Sequence, residues 1–300
     1  MTLFKGAGVA LVTPFHQDKN VNYEELEKLV EFQINNGIDA IIVCGTTGEP
    51  ATMTMEERYS VISFVIERAK KRVPVIAGTG CNNTQTVIDF SKETQKIGAD
   101  GLLIVTPYYN KATQNGLYAH YKQVADEVAL PIILYNVPSR TGVNILPETA
   151  MRLAKDCSNI VGMKEASGNI TQVADLIQKT EGLLDVYSGN DDQIVPILSL
   201  GGVGVISVLA NIAPKQTHDI VMEYLHGNTK YATKLQLHYL DLIHTLFCEV
   251  NPIPVKKALE ILGFEKSTLR MPLTELEEGH AKMLQEVIRN YTELFIPNKS

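Results

Sequence analysis

The sequence predicts a (β/α)8 TIM barrel of the α/β class with an all-helical C-terminal appendage. Short β-branched runs alternate with longer amphipathic runs, eight times between Gly8 and Leu225. No linker-like stretch interrupts them. Beyond His226 the alternation stops and only helical periodicity remains. A doubly wound open sheet would also alternate, but it normally holds fewer units. The expected division is a barrel over 1–226 and a helical region over 227–300, the latter a cap or an assembly surface.

Gly8–Val12 reads as the first strand. Asn22 suits an N-cap with Glu25 three residues on, and Gly37 stops that helix. Ile38–Val43 is the second strand, followed by the loop Gly45-Thr-Thr-Gly-Glu49. Thr54-Met-Glu-Glu57 is a capping box opening a helix that runs to about Arg72. Strand three is Val73–Ala77, with a helix over Thr84–Ile97. Strand four is Gly101–Thr106, with a helix from Gln114 to Val128. Strand five is Ile132–Asn136, and Pro147 suits the first turn of the next helix. Strand six begins at Ile160 and leads to a helix from Thr171. Leu184–Ser188 and Val203–Val208 are strands seven and eight, with helices from about Asp192 and over Pro214–Leu225. Tyr231–Val250, Pro254–Leu262 and Thr274–Leu294 read as three further helices.

Composition excludes several functions. The chain has 300 residues, 45% hydrophobic and 20% charged, with a net charge of -7 and no long basic run. That balance argues against nucleic acid as a partner. No apolar stretch approaches the roughly 18 residues that suggest a membrane span. The apolar run Ala7–Val12 is too short for a signal peptide and is followed by Pro14. The four cysteines are scattered without a C-x-x-C pair, as reduced thiols of a cytoplasmic protein would be. Cys44 is either a nucleophile or a buried structural thiol, and its apolar surroundings favour the second. The seven histidines show neither H-x-x-x-H nor H-E-x-x-H spacing, so no catalytic metal is expected; His238 and His244 read as structural or exposed. Asp191-Asp192 suits a helix start better than a cation site. Phosphate-loop and dinucleotide-loop patterns are missing.

Strand six carries the least ordinary residue. In Ile160-Val-Gly-Met-Lys164, alternation places Ile160, Gly162 and Lys164 on one face, and Val161 and Met163 on the other. With both faces covered, Lys164 ends inside protein, where an ammonium gives up its proton more readily and the free amine attacks carbonyls. Gly162 would leave room for the lysine stem. The bland alternative is a lysine that snorkels to solvent or pairs with Glu165. Barrel chemistry gathers at the C-terminal ends of strands. Thr46 and Thr47, Tyr108 and Tyr109, Tyr135, Arg140, Lys164, Gly189 and Ile206 all fall in or after such ends. A buried amine with phenol and hydroxyl neighbours suits a Schiff base and its proton transfers. The Thr46-Thr47 loop and the Arg140 fork each suit a carboxylate. Each of these residues has an ordinary structural role as an alternative; their convergence on one mouth favours chemistry.

Four blocks in order carry a resemblance: Gly45-Thr-Thr-Gly-Glu49, Thr106-Pro-Tyr-Tyr-Asn110, Tyr135-Asn-Val-Pro-Ser-Arg-Thr-Gly142 and Gly162-Met-Lys-Glu-Ala-Ser-Gly168. With similarity from Gly6 to the C-terminal helices, the chain resembles the 4-hydroxy-tetrahydrodipicolinate (dihydrodipicolinate) synthases, pyruvate-dependent class I aldolases of lysine and diaminopimelate synthesis. The resemblance implies that Lys164 forms a Schiff base with pyruvate and that Tyr135 gives and takes protons. It implies a relay through Thr46 and Tyr109, the tyrosine coming from a neighbouring subunit. Thr47 and the Ile206 backbone would hold pyruvate, with Gly189 lining the site. Arg140 would hold the carboxylate of L-aspartate 4-semialdehyde. It further implies a homotetramer of two tight dimers, with no metal or organic cofactor. Lysine-inhibited members carry a more polar interface crevice than Pro50, Met55, Arg58 and Thr86 provide, although Asn82 and Tyr108 fit. A weak or absent response to lysine is therefore expected.

Two other functions share parts of this pattern. N-acetylneuraminate lyases and keto-deoxy sugar-acid aldolases would share Lys164 and Tyr135, but resemble Gly-Ser-Thr-Gly-Glu at the loop and generally lack the Arg140 block. A barrel that only binds keto acids would have lost Lys164, Tyr135 or the relay, and all are present.

Overall fold

The computed structural model describes residues 2–294. Eight parallel strands close into a barrel, each hydrogen-bonded to the next and the last to the first. They are β1 (Gly6–Ala10), β2 (Ala40–Val43), β3 (Val75–Gly78), β4 (Gly101–Val105), β5 (Ile132–Asn136), β6 (Ile160–Glu165), β7 (Asp185–Ser188) and β8 (Gly204–Ser207). The helices between and after them are α1 (Tyr23–Asn35), α2 (Met55–Ala69), α3 (Thr84–Ile97), α4 (Gln114–Glu127), α5 (Pro138–Thr141), α6 (Pro147–Asp156), α7 (Ile170–Thr180), α8 (Ile194–Ser199) and α9 (Pro214–Leu225). The appendage comprises α10 (Thr229–His238), α11 (Leu240–Thr245), α12 (Ile253–Ile261) and α13 (Glu278–Ile288).

Helix starts follow local chemistry. Asn22 accepts from the Glu25 amide at 2.9 Å. The expected return bond from Glu25 is not made: its buried carboxylate takes Lys28 and the Glu265 amide instead. Thr54 and Glu57 do form the reciprocal capping box. The first strand starts two residues earlier than expected and ends at Ala10. Leu11 still donates to the Ile42 carbonyl of β2 at 3.0 Å, whereas the Val12 amide is held by Asn211 at 3.1 Å, and both side chains are buried.

Both strand faces are covered, which is why the strands are apolar throughout. Ala10, Ala40, Ile42, Ile76, Leu103, Ile133, Tyr135, Tyr187 and Ile206 fill the barrel. Phe4 plugs it, stacked on Tyr187 at 4.5 Å, whose hydroxyl donates to the Phe4 carbonyl at 2.7 Å. Alternate residues such as Leu102, Ile104, Leu134 and Met163 face the helices.

Strict alternation fails in β6. The register with β5 shifts between Ile132 and Ile133, so that Ile132 pairs with Ile160 but Ile133 with Gly162. Ile160 thereby joins Met163 in the outer cluster, contrary to the sequence expectation. Downstream, Tyr135, Lys164 and Tyr187 stand side by side.

The expected helix over Tyr231–Val250 is broken at Tyr239. That buried ring stacks on Tyr291 at 5.3 Å and its hydroxyl donates to Glu293 at 2.8 Å, contacts that local periodicity does not encode. Leu242, Leu246, Val255, Leu259, Leu284 and Ile288 share one apolar cluster with Val9 and Ile41 of the barrel. Among the described residues no helix is long and apolar enough to cross a membrane.

Candidate active site

Lys164 lies in β6 with only 6% of its surface exposed. Its Nζ sits 4.4 Å from the centroid of the Tyr135 ring on β5. An ammonium is attracted to the negative face of such a ring. Pairing with Glu165, the bland alternative, is not formed. That carboxylate accepts from the Ser167 amide at 2.7 Å, from Asn136 Nδ2 at 3.1 Å and from Gln172 Nε2 at 3.3 Å. Lys164 is thus buried on the inner face, free of its acidic neighbour.

Glycines make the room, though not the glycine expected. A Cβ on Gly162 would meet the Asp185 carbonyl at 2.9 Å and the Tyr187 ring at 3.2 Å, so its missing side chain accommodates β7 rather than the lysine stem. A Cβ on Gly189, just after β7, would lie 3.1 Å from Lys164 Cε and 2.5 Å from Ala166 Cβ. The Glu165 carbonyl would lie 3.0 Å away, so the smallness of Gly189 accommodates the end of β6 first and the Lys164 stem beside it.

A cavity of about 300 Å3 opens beside this pair, lined by Thr46, Tyr108, Tyr135 and Arg140 among others. Val250, Asn251, Pro252, Pro272 and Leu273 of the appendage complete its wall. Lys164, Thr47, Gly189 and Ile206 are not part of the lining itself. Lys164 lies behind Tyr135, Gly189 against Lys164, and Ile206 in the barrel interior with Tyr135.

The loop after β2 folds into a single tight turn over Thr46–Gly48. It ends at Glu49, a non-glycine residue with φ of 55°. Thr47 is buried and its Oγ1 accepts from Asn251 Nδ2 at 3.0 Å. Arg140 lies on α5, a short helix opened by Pro138 and not foreseen from the sequence. Its Nη2 donates to the Asn251 carbonyl at 3.3 Å. Asn251, between α11 and α12, thus touches both predicted carboxylate holders.

The two tyrosines after β4 diverge. Tyr108 is 38% exposed and lines the cavity, and partial burial raises its phenol above the usual range. Tyr109 is 88% exposed with φ of 72°, and it does not line the cavity of its own chain. Cys44 lines the cavity, but burial pushes its thiol up to about 12, so it stays protonated and non-nucleophilic. Asp191 begins a turn as expected, its Oδ2 accepting the amides of Val208 and Leu209 at 3.0 and 2.9 Å. His238 and His244 are exposed. Glu249, Glu277 and His280 cluster on the appendage, where His280 Nδ1 lies 2.7 Å from Glu249; none of them lines the cavity.

The model of the dihydrodipicolinate synthetase family matches residues 3–291. The chain belongs to that family. It is 61% identical over 289 residues to the 4-hydroxy-tetrahydrodipicolinate synthase of Lachnoclostridium phytofermentans, covering 96% of this chain and 98% of the relative. It is 53% identical to that of Clostridium novyi over 291 residues, covering 97% and 98%. Among solved structures, the dihydrodipicolinate synthase of Aquifex aeolicus superposes with a TM-score of 0.95 at 44% identity, covering 98% of this chain and all 100% of that one. The Thermotoga maritima dihydrodipicolinate synthase gives 0.95 at 44% identity, covering 96% and 99%. The dihydrodipicolinate synthetase match spans both the barrel and the segment holding Asn251. Sequence reading missed Asn251; its only local signal is an asparagine before Pro252 in a break between predicted helices.

Proposed function

We propose that this chain is a 4-hydroxy-tetrahydrodipicolinate synthase, condensing pyruvate with L-aspartate 4-semialdehyde. The observation that carries the reading is a buried lysine on the face of a tyrosine, behind a cavity that also presents Thr46 and Arg140. In this reading the Lys164 amine attacks the pyruvate ketone, and the carbinolamine loses water to give the imine. Tyr135 moves the protons, with Thr46 as its hydroxyl partner. Loss of a methyl proton gives the enamine, whose carbon attacks the aldehyde. The substrate's own amine then adds to the imine carbon and expels Lys164 as the cyclic product forms. Thr47 and the Ile206 backbone hold the pyruvate carboxylate end, with Gly189 beside Lys164. Arg140 orients the aldehyde's carboxylate.

Tyr109 serves in trans in this reading. Its exposure and its left-handed backbone favour a side chain held out toward a second copy. A homotetramer of two dimers, a cytoplasmic location and catalysis without metal or organic cofactor belong to the same proposal. So does the division into 1–226 and 227–300, of which residue 1 and residues 295–300 lie outside the described residues. Pro50 and Arg58 at the cavity support a weak response to lysine, since a guanidinium repels an added ammonium. Strong inhibition by sub-millimolar lysine would refute that part.

The test is pyruvate turnover with L-aspartate 4-semialdehyde beside N-acetylmannosamine and glyceraldehyde. Fast turnover with aspartate semialdehyde alone is expected. Turnover with a sugar aldehyde instead would move the chain to a sister aldolase and refute the role of Arg140.

A further inference from the structure

We propose that Asn251 is a positioning residue that orients the Thr47 hydroxyl toward the pyruvate carboxylate and ties it to the anchor for the second substrate. The inference rests on the pyruvate reading above. Asn251 is buried at the cavity wall, in the turn between α11 and α12. Its Nδ2 donates to Thr47 Oγ1 at 3.0 Å, and its backbone carbonyl accepts from Arg140 Nη2 at 3.3 Å.

A hydroxyl has one proton to give and lone pairs to receive. When Nδ2 donates to Thr47, the Thr47 proton must point elsewhere, free for the carboxylate that the pyruvate reading assigns to it. An amide donor therefore turns a two-way group into a committed donor, the polarity a carboxylate needs. Asn251 Oδ1 is buried without a partner, so the Thr47 contact is the one side-chain hydrogen bond of this amide among the described residues. The carbonyl contact to Arg140 belongs to the backbone and does not depend on the side chain. Asn251 thus separates into two functions: its amide serves pyruvate, and its main chain serves the aldehyde.

The experiment measures the pyruvate concentration giving half-maximal borohydride trapping at Lys164, and the KM of each substrate. It compares Asn251→Ala, Asn251→Asp, Thr47→Val and Thr47→Val/Asn251→Ala, with thermal melts for each. Asn251→Ala should raise half-saturation by pyruvate about five- to tenfold, the loss expected of one hydrogen bond. The KM for aspartate semialdehyde should move by less than about twofold, because the carbonyl remains. Adding Asn251→Ala to Thr47→Val should change nothing further. Asn251→Asp, nearly isosteric, should weaken pyruvate more than Asn251→Ala and recover as the pH falls through the carboxyl range. Wild-type pyruvate binding in both Asn251 variants would overturn the inference, as would full additivity with Thr47→Val. No adduct in the unmodified enzyme would overturn the pyruvate reading itself, and this inference with it.

Discussion

The Lys256 ammonium and the Glu49 carboxylate form an ion pair in which each side chain is only 2% exposed. It joins α12 of the appendage to the end of the Thr46–Gly48 turn. Lys256 also donates to the Thr268 carbonyl at 3.0 Å and lies 4.4 Å from the Phe15 ring, which Arg270 covers at 4.2 Å. Burial lowers the Lys256 pKa to about 8, with Glu49 opposing the shift. Lys256→Met strands the carboxylate and should cost about 3–5 kcal/mol in urea denaturation. Replacing both partners, as Lys256→Met/Glu49→Leu, should recover most of that loss. A single variant within about 1 kcal/mol of wild type would show that Glu49 is not dependent on this partner.

Lys164→Ala should abolish borohydride trapping of pyruvate while the melting temperature holds. Lys256 is the informative competitor: like Lys164 it is buried, and burial lowers its own pKa to about 8. A pyruvate adduct on Lys256 in the wild type would move the nucleophile from β6 to α12.

Gly189→Ala places a methyl against Ala166 and the Glu165 carbonyl, with the Lys164 stem next to them. A displacement of about 1 Å at the reacting amine can cost roughly 100-fold in turnover. Gly162→Ala presses on backbone and the Tyr187 ring instead, so stability should fall by about 1–3 kcal/mol. Equal turnover in wild type and Gly189→Ala would show that the stem has slack.

Arg140→Ala should raise the KM for aspartate semialdehyde by roughly 10- to 100-fold, the range for a charge-assisted hydrogen bond. Pyruvate trapping on Lys164 should be unchanged, since that step precedes the aldehyde. Equal weakening of both substrates would mean that Arg140 supports the whole wall.

His120 on α4 is buried, with Nδ1 2.9 Å from the Thr84 hydroxyl, and burial pushes its pKa from 6.5 down to about 4. Because the folded-state value is depressed, the unfolded chain binds more protons between those limits. Stability should therefore fall as pH drops from 6.5 toward 4, by roughly 3 kcal/mol from this residue. His120→Gln should flatten the slope when denaturation near pH 4 is compared with neutral pH. Identical slopes would place the acid sensitivity elsewhere.

The order of strands and helices was legible because each element is written in its own period, and α3, β5 and α9 match their expected limits residue for residue. Lys164, Tyr135, Thr46 and Arg140 were legible for a related reason: they stand at or after strand ends, and a closed parallel barrel brings all such ends to one mouth. The β6 register shift, the break at Tyr239 and the choice of Gly189 over Gly162 were not legible. Each depends on which partner a strand or ring meets across the molecule.

By itself, then, the sequence determined the eight-fold alternation, the family blocks and the placing of the lysine on the inner face of its strand. Only the tertiary structure decided that Asn251 and Lys256 of the appendage reach back to Thr47 and Glu49. Periodicity reports which way a side chain faces within its own element. Contacts separated by some 200 residues are set by the closure of the barrel and the packing of the helices across it.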